Sequence, residues 1–268
     1  MLKPVIKWSG SKRLQAKEIL AVVPEYVTYY EPFLGGGSVL YEVHPSRAVC
    51  SDICEPLIDL WCVIRDDPET LAKSYHDSWS RLQTEGYTVY YEIRDRFNRI
   101  HSPEDLLFLS RTCVNGLIRF NALGKFNNSF HYSRPGIKPE SLTSIIRDWS
   151  AAIQGVNFLN VDYREATKTA TSDDFIYLDP PYMNTVGRYY GLTTIDFDDF
   201  FAYLDGLNKR HIRWALSFDG QTSERDYSHS LPPELYRRQL LLDAGQSTFR
   251  RVMSKAVNTV QESLFLSF

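Results

Sequence analysis

Asp173-Asp174-Phe175-Ile176-Tyr177-Leu178-Asp179-Pro180-Pro181-Tyr182 is the stretch on which the reading of the fold turns. Its β-branched and aromatic run predicts a buried strand over residues 173–178. The two prolines must end that strand, because neither has an N–H for a ladder and each holds φ near about −65°. What remains is a stiff turn at a strand's carboxyl end, carrying a carboxylate, a proline carbonyl and a tyrosine ring. Ligand sites of open α/β sheets lie in that crevice. The candidate catalytic residues are therefore Asp179, Pro180, Pro181 and Tyr182.

Working back along the chain, residues 26–30 (Tyr-Val-Thr-Tyr-Tyr) predict another strand. It runs into Glu31-Pro32-Phe33-Leu34-Gly35-Gly36-Gly37-Ser38, and a helix starts over residues 39–43. Strand, glycine turn and helix form the architecture of a nucleotide-type cofactor site, since glycines let a ligand approach the backbone closely. A further strand over residues 47–51 ends in Asp52, 17 positions after the first glycine. That spacing is close to the ~20 of a ribose-binding acid. Position 40 is Leu, so the third glycine of a dinucleotide fingerprint is missing. An adenosine cofactor without phosphate fits better, and S-adenosylmethionine has that form. Asp52 would take the ribose hydroxyls and the glycine turn would pass the amino-acid tail.

Between these two turns the pattern is helical. Helices are predicted over 55–63, 68–82 and 87–100, and from Pro103 to 109. Strands are predicted over 156–161, 212–217, 235–242 and 260–268, and helices over 13–23 and 197–207. The expected domains are a catalytic one, residues 1–56 and 155–268, and a helical target-recognition one, residues 57–154. No internal repeat interrupts this order.

With 268 residues, 43% hydrophobic and 24% charged, the chain can bury a sizeable core. The opening residues predict no signal peptide, and no apolar run reaches the ~18 residues that span a bilayer. The four cysteines, Cys50, Cys54, Cys62 and Cys113, form no C-x-x-C pair and predict buried free thiols in a reducing compartment. The six histidines show no metal spacing, so no metal is expected.

A net charge of −3 does not announce a nucleic-acid partner, but its distribution does. Residues 106–139 hold no acid, yet carry Arg111, Arg119, Lys125, Arg134 and Lys138. Residues 244–261 again lack acids and carry Arg250, Arg251 and Lys255. Two such tracts predict a local footprint for phosphate. In the first, arginines and asparagines, the side chains that pair with guanine and adenine edges, alternate with aromatics that can stack on bases.

The Asp-Pro-Pro-Tyr turn suits methylation of an exocyclic base amine. Such a nitrogen is a poor nucleophile because its lone pair is drawn into the ring. Two fixed acceptors on its hydrogens, Asp179 and the Pro180 carbonyl, would pull it towards tetrahedral geometry. Tyr182 could stack on a base flipped from its duplex. The turn by itself does not separate an adenine N6 from a cytosine N4 amine, and a DNA-binding protein on a decayed enzyme fold is the non-catalytic alternative.

The whole set resembles the Dam-like DNA adenine-N6 methyltransferases. Lys7-Trp8-Ser9-Gly10-Ser11-Lys12 is similar to that family's N-terminal motif, Glu31–Ser38 to its cofactor loop, Asn115–Asn121 with Gly124–Asn127 to its recognition segment, and Asp179–Tyr182 to its catalytic turn. The resemblance implies an α/β, Rossmann-like methyltransferase sheet with helices on both faces and an inserted helical recognition domain. It implies S-adenosylmethionine contacts from Trp8, Lys12, Glu31, Pro32, Phe33, Gly35, Gly37, Ser38, Asp52, Ile53, Asp162, Tyr163 and Asp179. DNA contacts are implied for Lys7, Arg94, Asn115, Leu117, Arg119, Asn121, Lys125 and Asn127, and the second basic tract adds Arg250 and Arg251. The expected partner is double-stranded DNA, met by a monomer in the cytoplasm, the protein being that of a prokaryotic cell or phage-encoded. Val114 and Ser129-Phe130-His131 depart from the family pattern, so the resemblance leaves the recognised DNA sequence open.

Overall fold

The computed structural model describes residues 3–181, 195–222, 225–226, 231–246 and 259–268. Its elements follow in order as α1 (Ala16–Leu20), β1 (Tyr29–Glu31), α2 (Ser38–Val43), β2 (Ala48–Ser51), α3 (Glu55–Asp66), α4 (Pro68–Glu85), α5 (Thr88–Ile100) and α6 (Pro103–Thr112). Then come α7 (Pro139–Ala152), β3 (Val156–Leu159), α8 (Tyr163–Ala166), β4 (Phe175–Leu178), α9 (Phe197–Lys209), β5 (Arg213–Thr222), β6 (Arg225–Asp226), β7 (Arg238–Gln246) and β8 (Thr259–Leu266). The sheet runs β3-β2-β1-β4-β5-β8-β7, with β6 paired to the end of β5. Its first five strands are parallel, while β8 is antiparallel to both β5 and β7. This is a Rossmann-like sheet closed on one side by an antiparallel β8.

The period-2 alternation of strand side chains sorts the two cores. Tyr29, Phe175 and Tyr177 point to one face, where they join Trp61 and Trp149 and the helices from α3 to α7. Tyr30, Ile176 and Leu178 point to the other, against Phe200, Leu204 and Trp214. All four residues of β4 are buried, as expected of a central parallel strand covered on both faces. The first core continues without a break from the sheet into α4, α5 and α6, so the helical insert shares its interior with the sheet.

Helix ends are chemically marked. Asp67 accepts the Thr70 N–H ahead of Pro68 to start α4, and Ser102 does the same for Asp105 ahead of Pro103 in α6. Gly86, at φ 85°, stops α4.

Four predicted elements are corrected. The helix expected over 13–23 is only α1, and Leu14, counted on its apolar face, is 60% exposed. Residues 12–15 form a turn instead, closed by the Gln15 N–H to the Lys12 carbonyl. The strands expected from 26 and from 173 begin later, at Tyr29 and Phe175. The buried Asp174 carboxylate accepts the N–H groups of Thr28 and Thr171 and the Thr171 hydroxyl, so these residues form a latch ahead of both strands. Residues 233–235 are a 3₁₀ turn set by Pro232 and Pro233, and β7 starts at Arg238.

Candidate active site

The order of the sheet reverses at β1: the chain passes from β1 outward to β2 and β3, then returns to β4 on the other side of β1. Such a switch point leaves a crevice at the strands' carboxyl ends. A cavity of about 480 Å³ lies there. It is lined by Trp8, Lys12, Glu31, Pro32, Phe33, Gly35, Gly37, Ser38, Asp52, Ile53, Asp162, Tyr163, Asp179, Pro180 and Pro181. The fold thus gathers into one hollow every residue named for the cofactor and three of the four named for catalysis. Tyr182 lies outside the described residues, as do Arg250 and Arg251.

The glycine turn is steric before it is chemical. Gly35 sits at φ 48°, and a Cβ there would stand 2.7 Å from the Trp8 ring. At Gly37, φ 64°, a Cβ would stand 3.1 Å from the Trp61 ring and 3.3 Å from the Trp149 ring. The Trp61 indole N–H donates to the Gly35 carbonyl at 3.1 Å. Aromatic side chains therefore hold the turn in a left-handed path that glycine alone tolerates well. Across it, the Ser11 and Ser38 hydroxyls bond at 2.7 Å.

Of the carboxyl groups that face this hollow, Glu31, Asp52 and Asp179 are raised by burial. Asp52, at the end of β2, accepts the Gly35 N–H at 3.1 Å and the Cys54 N–H at 3.0 Å, and burial lifts it to about 6 despite those bonds. Glu31 accepts the Tyr29 hydroxyl at 2.7 Å and is pushed up to about 8, by burial first and by the nearby Asp179 charge. Asp179 stands at about 6: burial raises it, and Lys12 pulls against that. Perturbed acids converging in one cleft mark a functional site.

Lys12 reaches Asp179 Oδ1 at 2.7 Å and Glu262 Oε1, on β8, at 3.1 Å. Burial lowers its basicity, but the two carboxylates outweigh it and the ammonium is held well above its ordinary value. Glu262 also accepts from the Gln15 amide. Sequence reasoning missed both Glu262 and Gln15. The available signal was an acid on the same strand face as Leu264 and Leu266, a face that the period-2 pattern buries. Arg164, Tyr177, Ile195, Asp196 and Asp199 also line the cavity without having been singled out.

The recognition segment lies on a separate part of the fold. Isolated bridges pair Cys113 with Phe130 and Phe120 with Phe126, making a hairpin whose tip is residues 121–125. Asn121 holds that tip, its side-chain oxygen accepting the N–H groups of Leu123 and Lys125. Asn127 accepts the Arg119 Nε at 3.0 Å. Leu117 and Lys125 are exposed, and Leu117 follows the 3₁₀ turn in which Asn115 takes φ 57°. Arg94 stacks on the Tyr91 ring beside a shallow depression shared with Asn121, Lys125 and Asn127. The exposed Lys7 lies over Gly116, where a Cβ would meet its side chain at 2.2 Å. Arg111 departs from the expected phosphate footprint. It is buried, donating Nε to the Val5 carbonyl at 2.8 Å and Nη2 to the Pro4 carbonyl.

Among the described residues no His, Cys, Asp and Glu cluster could hold a metal, and no helix is long and apolar enough to cross a membrane. The four cysteines are free, three of them buried.

Comparison with known proteins bears on most of the chain. Residues 8–231 match the family model of the D12 class N6 adenine-specific DNA methyltransferases. The chain is 30% identical over 245 residues to the type II methyltransferase M1.LlaDCHI of Lactococcus lactis subsp. cremoris, covering 88% of this chain and 85% of that protein. It is 30% identical to the type II methyltransferase M.MjaIII of Methanocaldococcus jannaschii, over 81% of this chain and 84% of that one. A DNA adenine methylase of Vibrio cholerae is likewise 30% identical, over 87% of this chain and 84% of its own length.

Proposed function

We infer the working of the site from one premise: this chain belongs to the D12 class N6 adenine-specific DNA methyltransferase family and is an adenine-specific DNA methyltransferase. The family implies S-adenosylmethionine as methyl donor and DNA as substrate. The cavity suits that donor on chemical grounds. Carboxylates on several sides match a cationic sulfonium and amino group, Trp8, Phe33 and Tyr163 offer flat faces, and the open backbone of the glycine turn admits a chain. Bound there, the donor supplies an electrophilic methyl group on sulfur.

Asp52, whose oxygens each accept one backbone N–H, keeps lone pairs for two ribose hydroxyls. Trp8, Phe33, Ile53 and Tyr163 would hold the donor's adenine, and Glu31, Pro32, Gly35, Gly37, Ser38 and Asp162 its amino-acid tail. The target adenine is flipped from the duplex and stacked on Tyr182. Asp179 and the Pro180 carbonyl accept its two N6 hydrogens and free the lone pair towards the place where the donor would hold its methyl group, the sulfur leaving as the neutral thioether. The N6 proton then passes toward Asp179. Its carboxylate form is required at the start, so transfer falls as pH drops through about 6. No covalent enzyme intermediate is involved.

Residues 57–154 serve target recognition, and residues 1–56 with 155–268 serve catalysis. Lys7, Leu117 and Arg119 read bases, with Asn115 shaping the turn beside them, while Arg94, Asn121, Lys125 and Asn127, and from the second basic tract Arg250 and Arg251, hold the backbone.

The observation that carries this reading is the placement of Asp179 in one cavity with Asp52 and the glycine turn, at the switch point of the sheet. Methylome sequencing of DNA from cells expressing the chain tests it. N6-methyladenine in one sequence context is expected; N4-methylcytosine, or unmodified DNA, overturns it.

A further inference from the structure

Glu262 lies on the last strand, far in sequence from every motif above. It is buried, as are Lys12 and Gln15. Its Oε1 lies 3.1 Å from the Lys12 ammonium, and its Oε2 accepts from the Gln15 amide. Lys12 in turn lies 2.7 Å from Asp179 Oδ1. Gln15, Glu262, Lys12 and Asp179 thus form a continuous relay of polar groups from α1's turn, through β8, to the catalytic turn after β4. Burying Gln15, Glu262 and Lys12 is costly unless each is satisfied by its neighbour. A simple counter-ion for Asp179 would need Lys12 alone.

We propose that Glu262 is a positioning residue for catalysis: by holding the far side of the Lys12 ammonium it fixes that ammonium on Oδ1 of Asp179 and leaves Oδ2 to accept the adenine amine. This rests on the reaction assigned above. Sharing the ammonium between two carboxylates has a second effect. It leaves Asp179 a better acceptor than it would be in an exclusive ion pair, because a carboxylate wholly neutralised by one ammonium attracts an amine hydrogen weakly. The charges facing Asp179 are consistent with this. Lys12 lowers its proton affinity while Glu262 raises it, and the Glu31 carboxyl and Tyr177 ring stand close by.

The test uses the full chain with four sequences: wild type, Glu262→Gln, Lys12→Met, and the two combined. Glu262→Gln keeps volume and removes only charge. Single-turnover methyl transfer should fall about 10–100-fold, the scale for groups that orient an inner ring of ligands. Calorimetry should find cofactor affinity changed by less than about threefold, and the acid limb of the pH profile should move to lower pH. In the Lys12→Met background the same substitution should cost less than about threefold, since the group it acts through is gone. Equal cost in both backgrounds overturns the proposal, as does an unmoved acid limb. Carboxyl carbon NMR of Asp179 decides independently of turnover: its titration should shift to lower pH in Glu262→Gln, and an unchanged midpoint overturns the proposal. A wild-type chain that leaves adenine unmethylated would sink the assigned reaction while the NMR titration still judged the relay.

Discussion

Asp179 and Glu31 show how one hollow gives two carboxyl groups opposite settings. Asp179 has an ammonium 2.7 Å away, whereas Glu31 has the Tyr29 hydroxyl at 2.7 Å and a carboxylate neighbour. The charged partner keeps Asp179 available as an anion near neutrality, and Asp179→Ala should remove at least ~100-fold of single-turnover transfer, the scale of losing one preorganised group. Cofactor affinity, measured by calorimetry, should fall much less; near-wild-type transfer would refute the role. Glu31 yields a stability prediction. Burial raises it from an ordinary 4.5 to about 8, so the folded chain binds this proton more tightly than the unfolded one. Its contribution is then most favourable below about 4.5 and is lost as pH rises through about 8. Glu31→Gln keeps an acceptor for Tyr29 and removes that loss. Melting of the cofactor-free protein should show little gain at pH 4.5 and a gain of several degrees above pH 8, at roughly 2–4 °C per kcal/mol. A gain independent of pH would exclude the charge as its origin.

At the scale of elements, what could be read from sequence was what local physics fixes. β4 was legible because a buried apolar run stopped at two prolines, and α4 and α6 because Asp67-Pro68 and Ser102-Pro103 are helix starts by residue type. α1 was misjudged because Leu14 kept the helical spacing while Lys12 and Gln15, next to it, were drawn to Asp179 and Glu262, partners distant in the chain. The glycine turn was legible as a motif, though not its confinement between Trp8, Trp61 and Trp149, which only packing reveals. That confinement gives a prediction: Gly37→Ala meets both a positive φ and indole carbons at 3.1 Å, and should destabilise by about 1–3 kcal/mol while weakening cofactor binding. Denaturant melts and calorimetry check this, and an unaltered protein would mean the tryptophans yield. The roles proposed for the hairpin divide it between reading and holding. Arg119 has Nε fixed by Asn127, which leaves the two terminal nitrogens of its fork for guanine O6 and N7. Arg119→Ala should cost about 1–3 kcal/mol on the proper site and far less on a site changed at that base pair. Lys125→Ala should weaken all DNA alike and reduce the salt slope by about one. Methylation across every single-base variant of the site distinguishes them, and a uniform loss for Arg119→Ala would make it a phosphate contact.

Over the whole molecule, the cavity and the 113–130 hairpin are joined by residues 3–12, a connection the sequence does not display. Charge counting put Arg111 with the phosphate-binding residues, but its guanidinium is turned inward to the carbonyls of Val5 and Pro4, more than a hundred positions away. Burial lowers it to about 10, a cost borne for anchoring backbone. The Trp149 indole adds a bond to the Lys3 carbonyl at 3.2 Å. Downstream of this anchor the same short segment sends Lys7 over Gly116 in the recognition turn and Trp8 and Lys12 into the cofactor hollow. Loosening the anchor should therefore disturb both functions at once, whereas a change in the hairpin should disturb one. Arg111→Met preserves length and apolar stem but leaves the buried Val5 carbonyl and the part-buried Pro4 carbonyl without this donor, at about 1–3 kcal/mol. Cofactor affinity should weaken by roughly tenfold, and discrimination among single-base variants of the DNA site should narrow by a similar factor. Arg119→Ala is the control, narrowing discrimination while leaving cofactor affinity untouched. Calorimetry with the cofactor and methylation of the variant duplexes supply the two readings. If Arg111→Met lowers only one of them, the opening segment does not couple the two sites, and each is held by its own part of the fold.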